Sequence, residues 1–197
     1  MSFVLGLTGS IGMGKTTTAK MFADQDVPVW DADAVVRRLY SKDGAAALRI
    51  SELYPNVMDG GAVSRPKLRD LIASDPSVLD TVQSLVHPLV AEDRMTFLRE
   101  TVAPIVLLDI PLLYEIGADE TCDGVAVVSA PPDVQKDRVL ARGEMSEAQF
   151  EMILSRQLPD AEKRTRARWV IETRTLDGAR ASVADILAEI KQELAHA

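Results

Sequence analysis

The sequence of 197 residues predicts an α/β fold around a parallel five-stranded sheet, and three observations support that class. Short, apolar, β-branched runs recur along the chain, as they do in buried parallel strands. Segments with helical spacing separate the runs, and strands joined through helices form parallel sheets. The hydrophobic content of 47% is ordinary for one globular domain, so residues 1–197 are interpreted as a single domain. The five candidate strands span residues 3–8, 27–30, 105–108, 125–128 and 170–171.

Helices are expected after several of these strands. They span residues 16–24 after the first strand, 34–40 after the second and 133–141 after the fourth. The chain closes with an amphipathic helix, whose apolar residues at helical spacing are Val183, Ile186, Leu187, Ile190 and Leu194.

A long stretch between the second and third strands predicts an inserted helical subdomain over residues 41–101. Its expected helices span residues 45–54, 65–74, 76–86 and 88–101. The break between the last two rests on His87, because a residue before proline avoids the helical region. His87 is therefore expected to start a helix after a turn, in a packed or hydrogen-bonded role.

A second excursion follows the fourth strand and predicts a short lid over about residues 142–158. Arg142 and Gly143 break the preceding helix, where a mobile segment can bring a guanidinium over phosphates or a base. Ser146 with Gln149 forms a capping box for a helix that runs to about Leu158.

Charge and cysteine content exclude several classes of protein. The net charge of −8 leaves no broad cationic surface for nucleic acid or an anionic membrane. Cys122 is the only cysteine, which excludes an intrachain disulfide and a multi-cysteine metal site. The start of the chain lacks the features of a signal peptide, and no apolar run approaches the roughly 18 residues of a membrane span. A cytoplasmic protein is expected, and its oligomeric state is left open.

The residues after the first strand match the pattern G-x-x-x-x-G-K-[ST]. They are Gly9, Ser10, Ile11, Gly12, Met13, Gly14, Lys15 and Thr16. Glycines let the backbone turn its N–H groups inwards, so that amides and a helix N-terminus hold a polyphosphate. In such a loop Lys15 bridges the β- and γ-phosphates, and Thr16 ligates Mg²⁺. The strand-loop-helix context favours a nucleoside triphosphate site over a simple turn.

Nucleotide binding alone does not define an activity. A guanine-specific switch protein is excluded, because its base-reading motif contains asparagine and the only asparagine in the chain is Asn56, in the segment YPNV. Phosphoryl transfer to a small molecule and a nucleotide-gated binding module both remain open.

Carboxylates at the carboxyl ends of two candidate strands are candidates for proton transfer and metal binding. Asp31 and Asp33 follow the second strand, whose end faces the crevice that the phosphate loop shares in an open α/β sheet. A carboxylate there can accept the proton of an attacking hydroxyl. Alternatively, Asp31 caps the next helix and Asp33 is solvated. Asp109 follows the third strand and either holds the water shell of Mg²⁺ or is a turn residue.

A triphosphate and an anionic acceptor need more positive charge than one lysine supplies. Each arginine considered for this role can also be a solvated surface charge. The candidates are Arg65, Arg138, Arg142 and Arg156. A later basic run is interpreted as a solvated helical face rather than an anion site. It consists of Lys163, Arg164, Arg166 and Arg168.

Five successive segments resemble the signatures of dephospho-coenzyme A kinases. They are GLTGSIGMGKTT (6–17), VWDAD (29–33), VSRPKLR (63–69), VHPL (86–89) and DIPLLYE (109–115). The resemblance runs from about residue 3 to about residue 190, and it rests on the ordered set, since only the phosphate loop is specific by itself.

That resemblance implies a three-layer P-loop kinase fold with a helical acceptor subdomain and a lid. It implies transfer of the γ-phosphate of ATP, with Mg²⁺, to the ribose 3′-hydroxyl of dephospho-coenzyme A, the last step of coenzyme A synthesis. Asp33 is carried over as the general base, residues 11–16 and Arg142 as ATP-binding, and Arg65 as acceptor-binding. Asp31, His87 and Arg138 are also carried over as acceptor-binding residues.

One departure from the family pattern lies after the fifth strand. Family members usually have asparagine there, whereas this sequence has Glu172, Thr173 and Arg174. Adenine contacts near Thr173 are therefore not carried over, since a hydroxyl does not donate and accept as a carboxamide does. A shikimate- or gluconate-type kinase is the alternative in the same class, because such enzymes also place Asp-x-Asp after the second strand. The position of Gly60-Gly61 in an expected loop, and not after a strand, counts against it, as does the long insertion.

Overall fold

The computed structural model of the protein describes residues 2–143 and 145–196. Its strands, in chain order, are β1 (Phe3–Thr8), β2 (Val29–Asp31), β3 (Met58–Asp59), β4 (Ala62–Val63), β5 (Ile105–Asp109), β6 (Gly124–Ser129) and β7 (Trp169–Glu172). Five of them form one sheet in the order β2-β5-β1-β6-β7, while β3 and β4 form a small antiparallel hairpin. The five predicted strands are confirmed, with ends that shift by no more than two residues.

β1 lies at the centre of the sheet, between β5 and β6, and both neighbours run parallel to it. Leu7 pairs with Asp109 of β5 and with Ala126 of β6. All residues of β5 are buried, which explains its continuous apolar sequence. The loop that leaves β1 and the carboxylate that ends β5 therefore emerge at the same edge of the sheet.

The helices alternate with the strands, as the sequence predicts. In chain order they are α1 (Lys15–Ala23), α2 (Ala32–Tyr40), α3 (Ala45–Leu53), α4 (Arg65–Ser74), α5 (Ser77–Glu100), α6 (Pro132–Leu140), α7 (Glu147–Leu154), α8 (Asp160–Arg166) and α9 (Leu176–His196). Two 3₁₀ turns lie at Pro55–Val57 and Ala118–Thr121. Over the described residues, none of the helices is both long enough and apolar enough to cross a membrane.

The chain divides into two compact units, residues 1–30 with 101–197, and residues 31–100. In the first unit, α1 and α9 pack on each other, and α9 also packs on β7. Phe3, Leu5 and Leu7 of β1 form the core with Phe22 of α1 and Ile190 of α9. The alternate residues of β1 thus fix the strand from which the phosphate loop starts.

The unit of residues 31–100 contains α2 to α5 and the hairpin, and it has a hydrophobic core of its own. Ile50 of α3, Leu68 of α4 and Val82 of α5 are among its buried members. Val57 and Val63, next to and within the hairpin, join the same core. Because this unit buries apolar side chains from each of these elements, its helices have a packing reason to form.

The expected break at His87 and Pro88 is wrong, because α5 runs through both residues. Val78, Val82, Val86 and Leu89 are buried at spacings of four and three residues, so one apolar stripe continues past the proline. Proline within a helix removes a hydrogen bond and costs about 3 kcal/mol. Continuous burial of this stripe outweighs that cost.

Two further local predictions need correction. Gly60 and Gly61 do follow a strand, since they form the turn of the β3–β4 hairpin with φ values of 56° and 88°. The lid helix α7 has the predicted capping box of Ser146 and Gln149. It ends at Leu154, however, and not near Leu158. α8 follows as a separate helix that the sequence interpretation did not define as such.

Candidate nucleotide and phosphoryl-transfer site

The phosphate loop lies between β1 and α1, as predicted, and its glycines are required by its shape. Gly12 and Gly14 have φ values of 79° and 90°, a region that side chains other than glycine rarely adopt. A Cβ at Gly12 would lie 2.5 Å from Cγ2 of Val139. A Cβ at Gly14 would lie 3.3 Å from the Thr173 side chain. The loop is therefore closely packed as well as sharply bent.

The N-terminus of α1 offers backbone donors for an anion. Gly14 is the N-cap residue and has no side chain with which to cap the helix. The N–H of Thr18 donates to the Gly14 carbonyl at 3.1 Å, which leaves the amides of the first turn without intrahelical acceptors. These amides and the helix dipole favour a phosphate group at this end.

Lys15 and Asp109 are brought together at the carboxyl edge of the sheet. Lys15 Nζ lies 2.6 Å from Asp109 Oδ1, and Asp109 is only 4% exposed. The ion pair holds the lysine beside the loop. It also gives the buried carboxylate an opposite charge, which such a group requires. The turn-only interpretation of Asp109 does not account for this contact.

A cavity of about 250 Å³ adjoins the loop. Gly12, Gly14, Thr17, Arg138, Arg142 and Thr173 are among its lining residues. Arg142 is exposed at the end of α6, and Arg138 is half-buried. Arg138, which the resemblance assigns to the acceptor, thus lies in a cavity formed by the phosphate loop. The structure brings both arginines together beside Gly12 and Gly14.

Thr173, where the family asparagine is missing, connects three elements. Its hydroxyl donates to the Met13 carbonyl at 2.7 Å and accepts a bond from Arg138 at 3.1 Å. Arg138 also donates to the Thr173 carbonyl at 2.5 Å. The hydroxyl therefore does donate and accept, but its partners are protein groups. Thr173 holds the phosphate loop and Arg138 in position, a role that the sequence interpretation missed.

Two glutamines outside the motif contact the loop, and no sequence signal identified them. The side chain of Gln135 on α6 donates to the Ile11 carbonyl at 2.7 Å. The side chain of Gln157 accepts from the Ile11 amide at 3.1 Å. Both glutamines and Met13 line a second, larger cavity of about 1270 Å³ on the lid side of the loop.

Asp31 and Asp33 differ in their surroundings within residues 31–100. Asp31 caps α2, because its Oδ1 accepts from the Ala34 amide at 2.9 Å and its Oδ2 lies 3.5 Å from Arg37. The capping alternative for Asp31 is thus confirmed. Asp33 lies in the first turn of the same helix and is exposed to solvent. This exposure agrees with the solvated alternative for Asp33, and it also leaves the carboxylate accessible to a substrate.

Arg65 and His87 also belong to this unit, and both are exposed. Arg65 begins α4, and its guanidinium carbon lies 6.0 Å from the centre of the Tyr40 ring. Burial raises the pKa of Tyr40, while the charge of Arg65 partly opposes that rise. Of the packed or hydrogen-bonded role predicted for His87, the packed part is wrong, because this residue lies on the solvent side of α5. The hydrogen-bonded role stays a prediction.

The basic run near α8 is not a uniformly solvated face. Arg164 and Arg166 are exposed as expected, but Lys163 is completely buried. Lys163 Nζ lies 2.8 Å from Oε1 of Glu115. The solvated interpretation is therefore wrong for Lys163. Arg156, another candidate cation, is exposed just after α7.

Comparisons with known proteins show the family and the fold to which this chain is similar. The family model for dephospho-CoA kinase matches residues 3–177. A protein of Cereibacter sphaeroides named dephospho-CoA kinase is 56% identical over 190 residues, which is 96% of each chain. A crystal structure from Thermus thermophilus superimposes with a TM-score of 0.85 at 34% identity, covering 95% of this chain and 97% of that one. Dephospho-CoA kinase from Campylobacter jejuni has a TM-score of 0.72 at 20% identity, covering 98% and 99%, and shows the shared fold.

Proposed function

Since the chain belongs to the dephospho-CoA kinase family, we propose that it transfers the terminal phosphate of ATP to the 3′-hydroxyl of the ribose of dephospho-CoA. The products are CoA and ADP. The observation that carries the proposal is the phosphate loop, in which Lys15 is held 2.6 Å from a buried carboxylate at the open N-terminus of α1. This arrangement suits a bound triphosphate tail.

The loop and its neighbours would supply most of the charge stabilisation. The amides of the first turn of α1 and the Lys15 ammonium face the β- and γ-phosphates in this proposal. Arg138 and Arg142, which line the cavity beside Gly14, lie on the nucleotide side. We therefore assign Arg138 to ATP binding, with Arg142, rather than to the acceptor.

Asp33 is the proposed general base. It accepts the proton of the 3′-hydroxyl as the ribose oxygen attacks the γ-phosphorus and the bond to the β–γ bridging oxygen breaks. The resemblance of the segment VWDAD (29–33) to the family signature supports this role, and solvent exposure leaves the carboxylate accessible to an acceptor. Asp31 is committed to capping α2 and would act by orienting the start of that helix.

The helical unit of residues 31–100 is the proposed acceptor subdomain, close to the 41–101 expected from the sequence. Arg65 would bind an anionic group of dephospho-CoA, because its guanidinium is exposed at the N-terminus of α4. His87 is exposed on α5 and is a proposed acceptor-binding residue. We place the reaction in the cytoplasm, with which a chain of one cysteine agrees.

Mg²⁺ fits the residues at the loop. This ion binds through few protein oxygens together with substrate phosphates and water. Thr16, exposed in the first turn of α1, would ligate it directly, and Asp109 through water. Among the described residues no group of three His, Cys, Asp or Glu side chains forms a metal centre. When bound, Mg²⁺ supplies positive charge to the β- and γ-phosphates.

Product analysis tests the proposal against its two rivals. Dephospho-CoA, shikimate and gluconate are each incubated with Mg-ATP, and products are identified by mass spectrometry. Phosphorus NMR then locates the new phosphate on the ribose. We expect one added phosphoryl group, at the 3′ position, on dephospho-CoA alone. Phosphorylated shikimate or gluconate would favour the small-polyol kinase, and ATP hydrolysis without any phosphorylated acceptor would favour a nucleotide-gated module.

A further inference from the structure

Both peptide groups of Ile11, in the first limb of the phosphate loop, are engaged by side chains. The Ile11 amide donates to Gln157 at 3.1 Å, and its carbonyl accepts from Gln135 at 2.7 Å. Gln135 lies in α6 and is only 3% exposed, so the residues packed around it restrict its side chain. Gln157 lies three residues beyond the end of the lid helix α7. The shape of this limb thus depends on residues far from it in sequence.

The segment that carries Gln157 is firmly attached to the rest of its unit. We call residues 157–163 the lid stem. The amide of Leu158 donates to Glu115 Oε1 at 2.9 Å, and Lys163 Nζ lies 2.8 Å from the same oxygen. Asp160 accepts from the Ser129 hydroxyl at 2.7 Å, at the end of β6. Three points of the stem are therefore joined to the turn segment that follows β5 and to the end of β6.

Glu115 contacts the lid stem through a charged carboxylate. Burial raises the pKa of its carboxyl, but the ion pair with Lys163 and the bond from the Leu158 amide outweigh that effect, so the pKa lies below its usual value. Lys163 is completely buried, and removal of its partner would leave a buried charge. The stem is thus held by an interaction that is costly to break, which keeps Gln157 in place.

We propose that Gln157 is a positioning residue for ATP binding, which holds the first limb of the phosphate loop in the shape that receives the triphosphate. The inference rests on the proposed role of this loop as the ATP site. Without the Gln157 oxygen the Ile11 amide has to find water, and the limb can adopt other conformations. ATP must then order the limb when it binds, so affinity falls while the chemical step is preserved.

Steady-state kinetics of Gln157→Leu test the proposal, with Gln149→Leu as the matched control. Gln149 lies in the same lid and also accepts a backbone bond, from Ser146 at 2.8 Å, but that bond belongs to the capping box of α7. We expect Gln157→Leu to raise KM for ATP about tenfold, with kcat and KM for dephospho-CoA within about twofold of wild type. The control should leave KM for ATP within about twofold.

Two kinetic results would overturn the proposal. One is an unchanged KM for ATP in Gln157→Leu, and the other is an equal rise in both variants, which would indicate general damage to the lid.

Amide hydrogen exchange gives a readout that does not depend on catalysis. In the nucleotide-free protein, the Ile11 amide should exchange at least about tenfold faster in Gln157→Leu than in wild type, while amides of β5 keep their protection. Equal exchange rates at Ile11 would contradict the structural part of the inference. Should Lys15→Ala retain full activity, the proposed ATP site itself fails. The exchange experiment would still decide whether Gln157 holds the loop.

Discussion

The phosphate loop and the acceptor candidates differ in how firmly their functional groups are held. Around the loop, Lys15 is paired with a buried carboxylate, and Ile11 and Met13 are bonded by side chains from other elements. In the unit of residues 31–100, Asp33 and Arg65 are exposed on the first turns of two helices. In the proposed function, this difference corresponds to a preformed nucleotide site and an acceptor site made of exposed side chains.

The difference has an energetic consequence. Groups that are already held lose little conformational entropy on binding, so the loop can use its contacts for affinity. If Arg65 binds the acceptor as proposed, the substrate has to order this exposed side chain, at a cost of about 0.5–1.5 kcal/mol. Substitutions at the loop should therefore lower turnover at any acceptor concentration. The effect of substitutions in residues 31–100 should depend on the concentration of the acceptor.

The largest effect is expected for Lys15→Ala. In the proposed site the ammonium faces the transferring phosphoryl group, so its loss should lower kcat/KM at least about 100-fold. Coupled detection of ADP with dephospho-CoA as acceptor measures it. Lys20→Ala is the matched control, because Lys20 is exposed near the end of the same helix and should keep full activity. A fully active Lys15→Ala protein would mean that the loop does not cradle phosphate.

The next largest effect distinguishes the roles of Asp31 and Asp33, the two carboxylates at the start of α2. Asp33→Asn should keep ATP binding but lower turnover at least about tenfold, since asparagine cannot accept the proton. Calorimetry measures the affinity for ATP, and single-turnover kinetics measure the rate of phosphoryl transfer, so ATP binding and the chemical step are tested separately. Near-normal turnover would remove the assignment of the base.

Asp31→Ala is the control for Asp33→Asn. It removes the cap of α2 and should lower the free energy of unfolding by about 1 kcal/mol, with a smaller loss of turnover than Asp33→Asn.

Arginine substitutions test the two regions against each other. Arg65→Leu should raise KM for dephospho-CoA about tenfold and leave KM for ATP unchanged, because a charge-assisted hydrogen bond contributes about 1.5–3 kcal/mol. Arg138→Leu should do the reverse, since Arg138 lies beside Gly14 and is bonded to Thr173. The comparison between the regions fails if either variant raises both KM values equally.

Local rules predicted much of this molecule, and long-range packing decided the rest. The phosphate loop, the capping box at Ser146 and the five strands follow from spacing within short segments. The continuous helix through Pro88 depends on burial against other helices. The rule that a residue before proline avoids the helical region considers only two residues and takes no account of burial. The basic residues next to Lys163 in the sequence predicted a solvated side chain. Lys163 is buried instead, because its partner Glu115, 48 positions earlier, supplies the opposite charge.

The site shows the same division. Glycine and lysine positions were readable because phosphate binding constrains residue type locally. The contacts that hold the loop come from Gln135, Gln157 and Thr173, at sequence separations of more than 100 residues. These contacts use ordinary polar side chains in no fixed spacing, so only the folded chain reveals them.

The last effect is on stability rather than on turnover, and it concerns the ion pair that anchors the lid stem and the dependence of that ion pair on pH. The folded-state pKa of Glu115 lies below its usual value, so the group stabilises the fold above the unfolded pKa of about 4.3. That contribution is lost as the pH falls through the lowered value. Glu115→Gln should reduce the free energy of unfolding by about 1–2 kcal/mol at pH 7, because Lys163 then faces a neutral amide.

Urea unfolding of both proteins at a series of pH values measures this contribution. The difference between wild type and Glu115→Gln should stay constant above about pH 5 and narrow below the unfolded pKa, since the protonated wild-type carboxyl also lacks charge. Glu120→Gln, at an exposed position of the 3₁₀ turn Ala118–Thr121, is the control and should show no such narrowing. A difference in unfolding free energy that stays the same down to pH 3 would mean that the Glu115 charge does not hold the stem. Uncharged packing would then have to explain why Gln157 stays within hydrogen-bond distance of the loop.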